Sequence, residues 1–122
     1  MWGARVAILA DVHVKHATPV DNTDIAAAAR DTAYRGLADG LIVTGAATGD
    51  SADFDDLRAV REAVPDRRLF VGSGATTDNV AELMNLAGGI IVGTSLKQDG
   101  VTANPVDQQR AAAFARAAGR NV

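Results

Sequence analysis

The chain has 122 residues, of which 48% are apolar and 22% are charged, and its net charge is −3. The charged residues are scattered, so we expect neither nucleic-acid binding nor attraction to an anionic membrane surface. The chain contains no cysteine, which excludes disulfides, thiolate catalysis and cysteine-bound metal. Its length and apolar content fit a single small domain over residues 1–122.

The sequence shows no segment of the kind that directs a chain to or across a membrane. Its longest apolar runs are about five or six residues, far short of the roughly 20 residues that span a bilayer. The first residues lead directly into a strand-like run, without the charged leader, apolar stretch and cleavage site of a signal peptide. We therefore expect no transmembrane segment and a cytoplasmic location.

Four short apolar runs predict four β-strands. They are apolar nearly throughout instead of alternating between apolar and polar residues, which is typical of parallel strands covered on both faces. The predicted strands are Val6–Ala10, Leu41–Thr44, Leu69–Val71 and Ile90–Val92.

Each predicted strand is followed by a polar or glycine-containing loop and then by residues with helical periodicity. Asn22 or Thr23 is expected to cap the first helix, because short polar side chains accept hydrogen bonds from the first free N–H groups. Asn104 is expected to cap the last helix, with Pro105 and the acidic Asp107 in its first turn. The predicted helices cover residues 25–37, about 53–63, 77–86 and about 105–118.

Four strands alternating with four helices, at intervals of about 25–35 residues, indicate an α/β fold with parallel βαβ crossovers. Two architectures fit this pattern: the (βα)₄ half of a TIM (β/α)₈ barrel, and a small flavodoxin-like open sheet. The half-barrel predicts strands in the order of the sequence, with helices on one face. The open sheet predicts the first strand between two later strands, with helices on both faces.

Glycine-containing turns follow the third and fourth predicted strands. In many TIM barrels, loops after two successive strands offer backbone N–H groups to a phosphate. Glycine suits such loops because it lets the backbone approach the phosphate closely. The pair of turns therefore predicts a phosphate site formed by Gly72, Ser73, Gly74, Gly93, Thr94 and Ser95.

Asp11 and His13 lie two residues apart at the end of the first strand, so they share one face of the sheet. If Val6 and Ile8 face the helices, then Leu9, Asp11 and His13 point into the barrel. A carboxylate and an imidazole at the mouth of a barrel suit general acid–base catalysis or metal ligation. A structural hydrogen-bonded pair is the alternative interpretation.

The chain has only two lysines, Lys15 and Lys97, and both follow predicted strand ends. They suit neutralisation of a phosphate or stabilisation of an oxyanion, and a Schiff-base role for Lys15 is also open. The alternative is two ordinary exposed lysines, and His16 is interpreted as a solvent-facing histidine.

Thr44, Gly45 and Thr48 lie at the end of the second predicted strand, where the chain leaves the sheet. The Thr48 hydroxyl suits a hydrogen bond to a ligand, although local turn hydrogen bonding explains this residue equally well. We therefore include all three residues as ligand-binding candidates.

The run Ala-Asp-Val-His-Val-Lys-His at residues 10–16 resembles a signature of the BtpA family. Residues 42–49, 72–74, 92–97, 99–100 and 104–107 also match the family, in order and in register. Members are single TIM barrels of about twice this length, since a complete barrel takes about 250 residues. The resemblance implies that this chain supplies strands five to eight of such a barrel. It also implies a link to photosystem I biogenesis, through the photosynthetic members, or to the SgcQ-type members, which look like uncharacterised enzymes.

Two functional hypotheses follow. In the first, the chain is an enzyme-like half-barrel that binds a phosphorylated sugar or nucleotide-like metabolite, with Lys97 and the two glycine-containing turns on the phosphate. Asp11 and His13, with Lys15 nearby, would then act on the carbon skeleton in isomerase, lyase or hydrolase chemistry. No motif indicates a cofactor. In the second hypothesis, the chain is a non-catalytic biogenesis or assembly factor, or an inactive half-barrel.

A half-barrel also leaves its first and last strands as unpaired edges and its inner face open. Large open apolar surfaces are rare on soluble monomers. We therefore expect either a dimer that closes the ring or pairing with a separate N-terminal half.

Overall fold

The computed structural model describes residues 6–12, 24–44 and 51–119. Its strands form one parallel sheet in the order of the sequence. This order confirms the half-barrel prediction and makes the flavodoxin-like arrangement, with the first strand between two later ones, wrong. The strands are β1 (Leu9–Asp11), β2 (Gly40–Thr44), β3 (Arg68–Gly72) and β4 (Gly89–Ile91).

Four helices alternate with these strands, so the described chain is consistent with half of a (βα)₈ barrel. None of the helices in the described ranges is long and apolar enough to cross a membrane. The first helix continues as a π-helical turn over Asp31–Arg35, and two 3₁₀ turns, Thr94–Leu96 and Gln98–Gly100, precede the last helix. The helices are α1 (Ile25–Arg30), α2 (Ser51–Ala63), α3 (Val80–Leu86) and α4 (Gln108–Ala117).

The beginning of the first strand was predicted wrongly. Pairing with β2 starts at Leu9, which lies opposite Gly40, and Val6 and Ile8 remain 69% and 52% exposed. Ile8 is joined to the residues that lead into β2, because its N–H donates to Asp39 Oδ2 at 2.8 Å and its carbonyl accepts from the N–H groups of Asp39 and Gly40. The first strand is therefore β1, not Val6–Ala10.

The first and third helices also differ from the prediction. Asp24 caps α1, since its Oδ1 accepts from the Ala27 N–H at 2.7 Å, whereas Asn22 and Thr23 lie outside the described residues. α3 begins at Val80 and not at Thr77, because residues 77–79 form a turn. The helical periodicity of this segment therefore starts one turn before the helix itself.

The last helix is capped by Asp107 instead of Asn104. Asp107 Oδ1 accepts from the N–H groups of Gln109 and Arg110 at 2.9 and 3.2 Å. The helix begins late because residues 105–107 pair with residues 96–98, through an antiparallel bridge between Lys97 and Val106 and the hydrogen bonds on either side of it. This long-range pairing holds Pro105 in an extended segment, outside the helix.

The hydrophobic core lies on one face of the sheet, beneath the helices. Alternate residues of β2 and β3 point into it, and they pack against the apolar sides of α2 and α3. This arrangement confirms the prediction that helices cover one face. The core residues at the centre of this contact are Leu41, Val43, Leu69, Val71, Leu57, Val60, Val80 and Leu83.

No helix in the described part of the chain covers the opposite face of the sheet, called the open face below, and large side chains alternate there with glycines. Leu9, Phe70 and Ile91 are exposed or half-buried on this face. A Cβ at Gly40 would lie 2.6 Å from Leu9 Cδ2, and a Cβ at Gly89 would lie 2.7 Å from Phe70 Cδ1. Glycine is therefore what allows these side chains to lie across the neighbouring strands.

Candidate functional site

The loops after β3 and β4 enclose a cavity of about 490 Å³ at the carboxyl edge of the sheet. Its walls are residues 73–76 and residues 91–95. Gly72 ends β3 directly below this cavity and pairs with Ile91 of the wall. The structure thus brings the two predicted glycine-containing turns together in one place.

The first turn has an unusual backbone. Ser73 and Gly74 adopt positive φ angles of 64° and 82°, a left-handed conformation that glycine adopts freely and serine rarely does. Asn79 braces the turn, because its Oδ1 accepts from the Thr76 N–H at 2.7 Å and its Nδ2 donates to the Gly74 carbonyl at 3.1 Å. The sequence analysis missed Asn79, although a polar side chain three residues after a threonine is a common local hydrogen-bonding pattern.

The second turn is tied to the first by a side chain. Ser95 Oγ donates to the Ala75 carbonyl at 3.1 Å, which links the two walls of the cavity. Arg110 Nη1 lies 3.4 Å from the Ser95 carbonyl, so a guanidinium group of α4 contacts this turn. The sequence analysis missed Arg110, since it lies 15 residues away along the chain.

The electrostatics of the cavity favour an anion. Among the described residues, no acceptor receives a hydrogen bond from the N–H groups of residues 73–75 or residues 93–95. None of the lining residues that the structure describes carries a carboxylate. Free N–H groups of successive residues carry partial positive charge and attract anions. α3 contributes little, because the N–H groups of Asn79 and Val80 already donate to the Thr76 carbonyl.

Asp11 and Thr44 form a pair on the open face beside this cavity. Thr44 Oγ1 donates to Asp11 Oδ1 at 3.3 Å, and Thr44 lies opposite Gly72 in the β2–β3 register. Asp11 is exposed and alternates with the half-buried Ala10 and the buried Val12. Asp11 therefore points toward the open face, whereas Val12 is in the core and Ala10 packs against it.

Among the other predicted site residues, the structure describes only Lys97. Lys97 is half-buried in its bridge with Val106 and is not part of the cavity wall. His13, Lys15, His16, Gly45 and Thr48 lie outside the described residues. Within the described ranges, no cluster of three metal-ligating side chains is present.

The resolved pKa shifts among the described residues lie at the opposite edge of the sheet. Tyr34 donates a hydrogen bond of 2.6 Å to Asp66 Oδ1. This bond raises the pKa of the Tyr34 phenol and lowers the pKa of the Asp66 carboxyl. Arg67 lies 5.5 Å from the centre of the Tyr34 ring and bonds to the Ala38 carbonyl, so this cluster is a surface brace remote from the cavity.

Comparison with known proteins identifies the family of the chain. The model of the BtpA family matches residues 1–120. The photosystem I biogenesis protein BtpA of Synechocystis sp. is 45% identical over 92% of the chain, and an uncharacterised protein of Pyrococcus furiosus is 45% identical over 93%. SgcQ, named for the sgc region of Escherichia coli, is 35% identical over 90%. No solved structure matches the chain significantly.

The chain spans only 39% to 42% of the length of these three relatives. The match nevertheless extends over almost all of the chain, at 35% to 45% identity. The chain belongs to the BtpA family.

Proposed function

We propose that the chain binds a small phosphorylated metabolite, such as a sugar phosphate or a nucleotide-like compound, at the carboxyl edge of its sheet. The phosphate occupies the cavity between the two turns. The observation that carries this proposal is the set of N–H groups at residues 73–75 and 93–95 that donate to no described acceptor, in walls where no described residue is acidic. Such an arrangement binds a phosphate without needing a lysine.

The residues around the cavity have distinct roles in this proposal. The Ser95–Ala75 hydrogen bond and the Asn79 side chain hold the two turns at a constant separation. Arg110 supplies a positive charge near the second turn. The sequence predicted that Lys97 contacts the phosphate. In this proposal the backbone N–H groups of the two turns bind the phosphate instead.

The rest of the ligand extends over Gly72 and Thr44 toward Asp11. Neighbouring strands lie about 4.8 Å apart, so Asp11 on β1 is about 10 Å from β3, the length of a small sugar phosphate. Thr44 holds the Asp11 carboxylate by its hydroxyl, which leaves the second carboxylate oxygen to accept a proton from the ligand. This is the arrangement of a general base, in isomerase, lyase or hydrolase chemistry that His13 and Lys15 would assist.

A charge introduced at Gly93 tests the phosphate site. A Cβ at Gly93 has no described atom within 4 Å, so Gly93→Ala and Gly93→Asp place the same demand on the backbone and differ mainly in charge. One unit of charge about 6 Å from a phosphate costs about 2.8 kcal/mol at an effective dielectric of about 20. We expect Gly93→Asp to weaken phosphate binding roughly 100-fold, and Gly93→Ala to change it less than about threefold.

The measurement is calorimetric titration of both variants and the unmodified chain with inorganic phosphate. Circular dichroism verifies that each variant is folded. Equal affinities for Gly93→Ala and Gly93→Asp, or no phosphate binding by the unmodified chain, would contradict the proposal.

A second candidate function is a non-catalytic role in photosystem I biogenesis. It is favoured by one observation, the 45% identity to a Synechocystis protein that carries this function in its name. The two functions separate in a chimera in which this chain replaces the matching segment of that relative in Synechocystis. If the chimera supports photosystem I accumulation equally well with Asp11→Asn, the biogenesis role needs no catalysis. If Asp11→Asn abolishes accumulation, the two functions are linked.

A further inference from the structure

Ser73 has a backbone conformation that residues with a side chain rarely adopt. Its φ angle is 64°, in the left-handed region, where a Cβ lies too close to the carbonyl oxygen that follows it. Glycine has no Cβ and adopts this conformation freely, and both chain neighbours of Ser73 are glycines. A glycine at position 73 would therefore suit the backbone better than the serine that is there.

Two further non-glycine residues in the described ranges, Leu37 and Asp99, have a positive φ angle of 57°, and both have a local explanation. Leu37 follows the π-helical turn, and a left-handed residue is a common way to end a helix. Asp99 lies in the 3₁₀ turn Gln98–Gly100, and aspartate adopts this conformation more readily than most residues. Of these three residues, Ser73 alone follows a strand and lines the cavity.

The hydroxyl of Ser73 is not used to hold the turn together. The turn is braced by other side chains, since Ser95 Oγ donates to the Ala75 carbonyl and Asn79 bonds to both Thr76 and Gly74. Ser73 itself is exposed in the cavity wall, and its side chain forms no hydrogen bond with any residue that the structure describes. The serine therefore benefits neither the backbone nor the packing of the turn.

Ser73 lies where the cavity meets the pair formed by Asp11 and Thr44. It follows Gly72 directly, and a Cβ at Gly72 would lie 3.6 Å from Thr44 Oγ1, the atom that donates to Asp11. In the other direction, the N–H of Ser73 is the first of the N–H groups of residues 73–75, which donate to no described acceptor. A ligand with its phosphate on these N–H groups and its carbon skeleton toward Asp11 passes Ser73 with the atoms next to the phosphoester bond.

We propose that Ser73 is a specificity-determining residue, whose hydroxyl binds an oxygen on the carbon next to the phosphoester carbon of the ligand. The inference rests on the phosphate site proposed above and narrows its ligand to phosphate esters of polyols and sugars, which carry an oxygen at that position. A serine hydroxyl both donates and accepts a hydrogen bond, so it matches a ligand hydroxyl better than a backbone N–H does. Strained conformations persist where a function depends on them, which explains why this position is not a glycine.

Two phosphate esters that differ by one hydroxyl test the inference. They are propyl phosphate and its analogue with a hydroxyl on the middle carbon, and calorimetric titration measures the affinity of the chain for each. We expect the unmodified chain to bind the hydroxylated ester about five- to tenfold more tightly, the effect of one hydrogen bond between neutral groups. In Ser73→Ala, this preference should fall below about twofold. Inorganic phosphate has no carbon skeleton, so it should bind both proteins about equally.

Ser73→Gly separates the contact with the ligand from the stability of the turn. It removes the hydroxyl and also relieves the backbone, so the preference for the hydroxylated ester should again be lost, although the chain unfolds at a higher urea concentration than Ser73→Ala. Leu37→Gly is the matched control, because it relieves the same backbone conformation at a residue that is 71% exposed and outside the cavity wall. This control should keep the full preference.

The outcomes distinguish this inference from the proposal on which it rests. No binding of inorganic phosphate by the unmodified chain would refute the phosphate site and the role of Ser73 together. Phosphate binding combined with a preference that survives in Ser73→Ala and Ser73→Gly would refute the role of Ser73 alone, as would equal binding of the two esters by the unmodified chain. A loss of affinity by the same factor for inorganic phosphate and both esters would show that Ser73 only shapes the turn.

Discussion

The glycine at position 89 gives the most direct test of how the open face is packed. A Cβ there would lie 2.7 Å from both Cδ1 and Cε1 of Phe70, closer than real Cβ contacts. The ring lies between two glycines, because its Cε2 lies 3.0 Å from the position that a Cβ at Gly40 would occupy on the other side. Gly89→Ala therefore forces the ring out of its place between two strands. Overpacking of this kind costs about 1–3 kcal/mol.

A smaller gain opposes this cost, because replacing glycine by alanine removes about 0.4–1 kcal/mol of unfolded-state entropy. We therefore expect Gly89→Ala to lower the free energy of unfolding by about 1–2 kcal/mol and the Tm by roughly 3–8 °C. The neighbouring Gly88→Ala is the matched control. Its Cβ would lie 3.6 Å from the Leu69 carbonyl oxygen, an ordinary contact, so this variant should be neutral or slightly stabilising.

The assay is urea unfolding followed by circular dichroism, with all variants at one protein concentration so that association affects them equally. A double-mutant cycle with Phe70→Leu isolates the ring, since the cost of Gly89→Ala should fall by at least half in that background. Equal stabilities of Gly88→Ala and Gly89→Ala would refute the reasoning. An unchanged cost in the Phe70→Leu background would show that another contact is responsible.

Two further predictions concern local interactions. Asp107→Ala removes the acceptor for two N–H groups of α4 and should lower stability by about 1 kcal/mol in urea unfolding, whereas the exposed Gln108→Ala should not. Tyr34→Phe removes the hydrogen bond that lowers the pKa of Asp66 and raises that of Tyr34. The stabilisation from this bond is present at neutral pH, is lost as the pH falls through the lowered pKa of Asp66, and is lost as the pH rises through the raised pKa of Tyr34. The stability difference between the unmodified chain and Tyr34→Phe should therefore shrink at both extremes of a pH series, and a difference constant across that series would contradict the assignment.

Local sequence patterns were sufficient for most of the architecture. The centres of β2 and β3 were predicted to within one residue, because their runs are buried on the helix side and half-buried on the other, which requires apolar residues throughout. The end of α2 at Ala63 was also predicted, since Pro65 follows it. The two glycine-containing turns were identified by composition alone, and their meeting at one edge follows from parallel strands in consecutive order.

Features that depend on contacts distant in sequence were not predicted. Asp107 caps α4 in place of the predicted Asn104, because residues 105–107 pair with residues 96–98. Local residue propensities do not predict that pairing. The same pairing holds Lys97 outside the cavity wall. Its position shortly after β4 had suggested a place at the phosphate. The brace between Ser95 and Ala75 joins residues 20 positions apart, so its existence depends on how two loops are brought together.

The sequence by itself determined the α/β class, the parallel strands and the family. Each of these can be predicted from short runs of residues, by their periodicity or by their identity. The tertiary structure alone decided which face of the sheet stays open, which groups line the cavity and where β1 begins. These outcomes depend on the register between strands, and a shift of one residue exchanges the two faces of a strand. Leu9 pairs with Gly40 in this register, and only a glycine at position 40 leaves room for the Leu9 side chain that crosses it from the neighbouring strand.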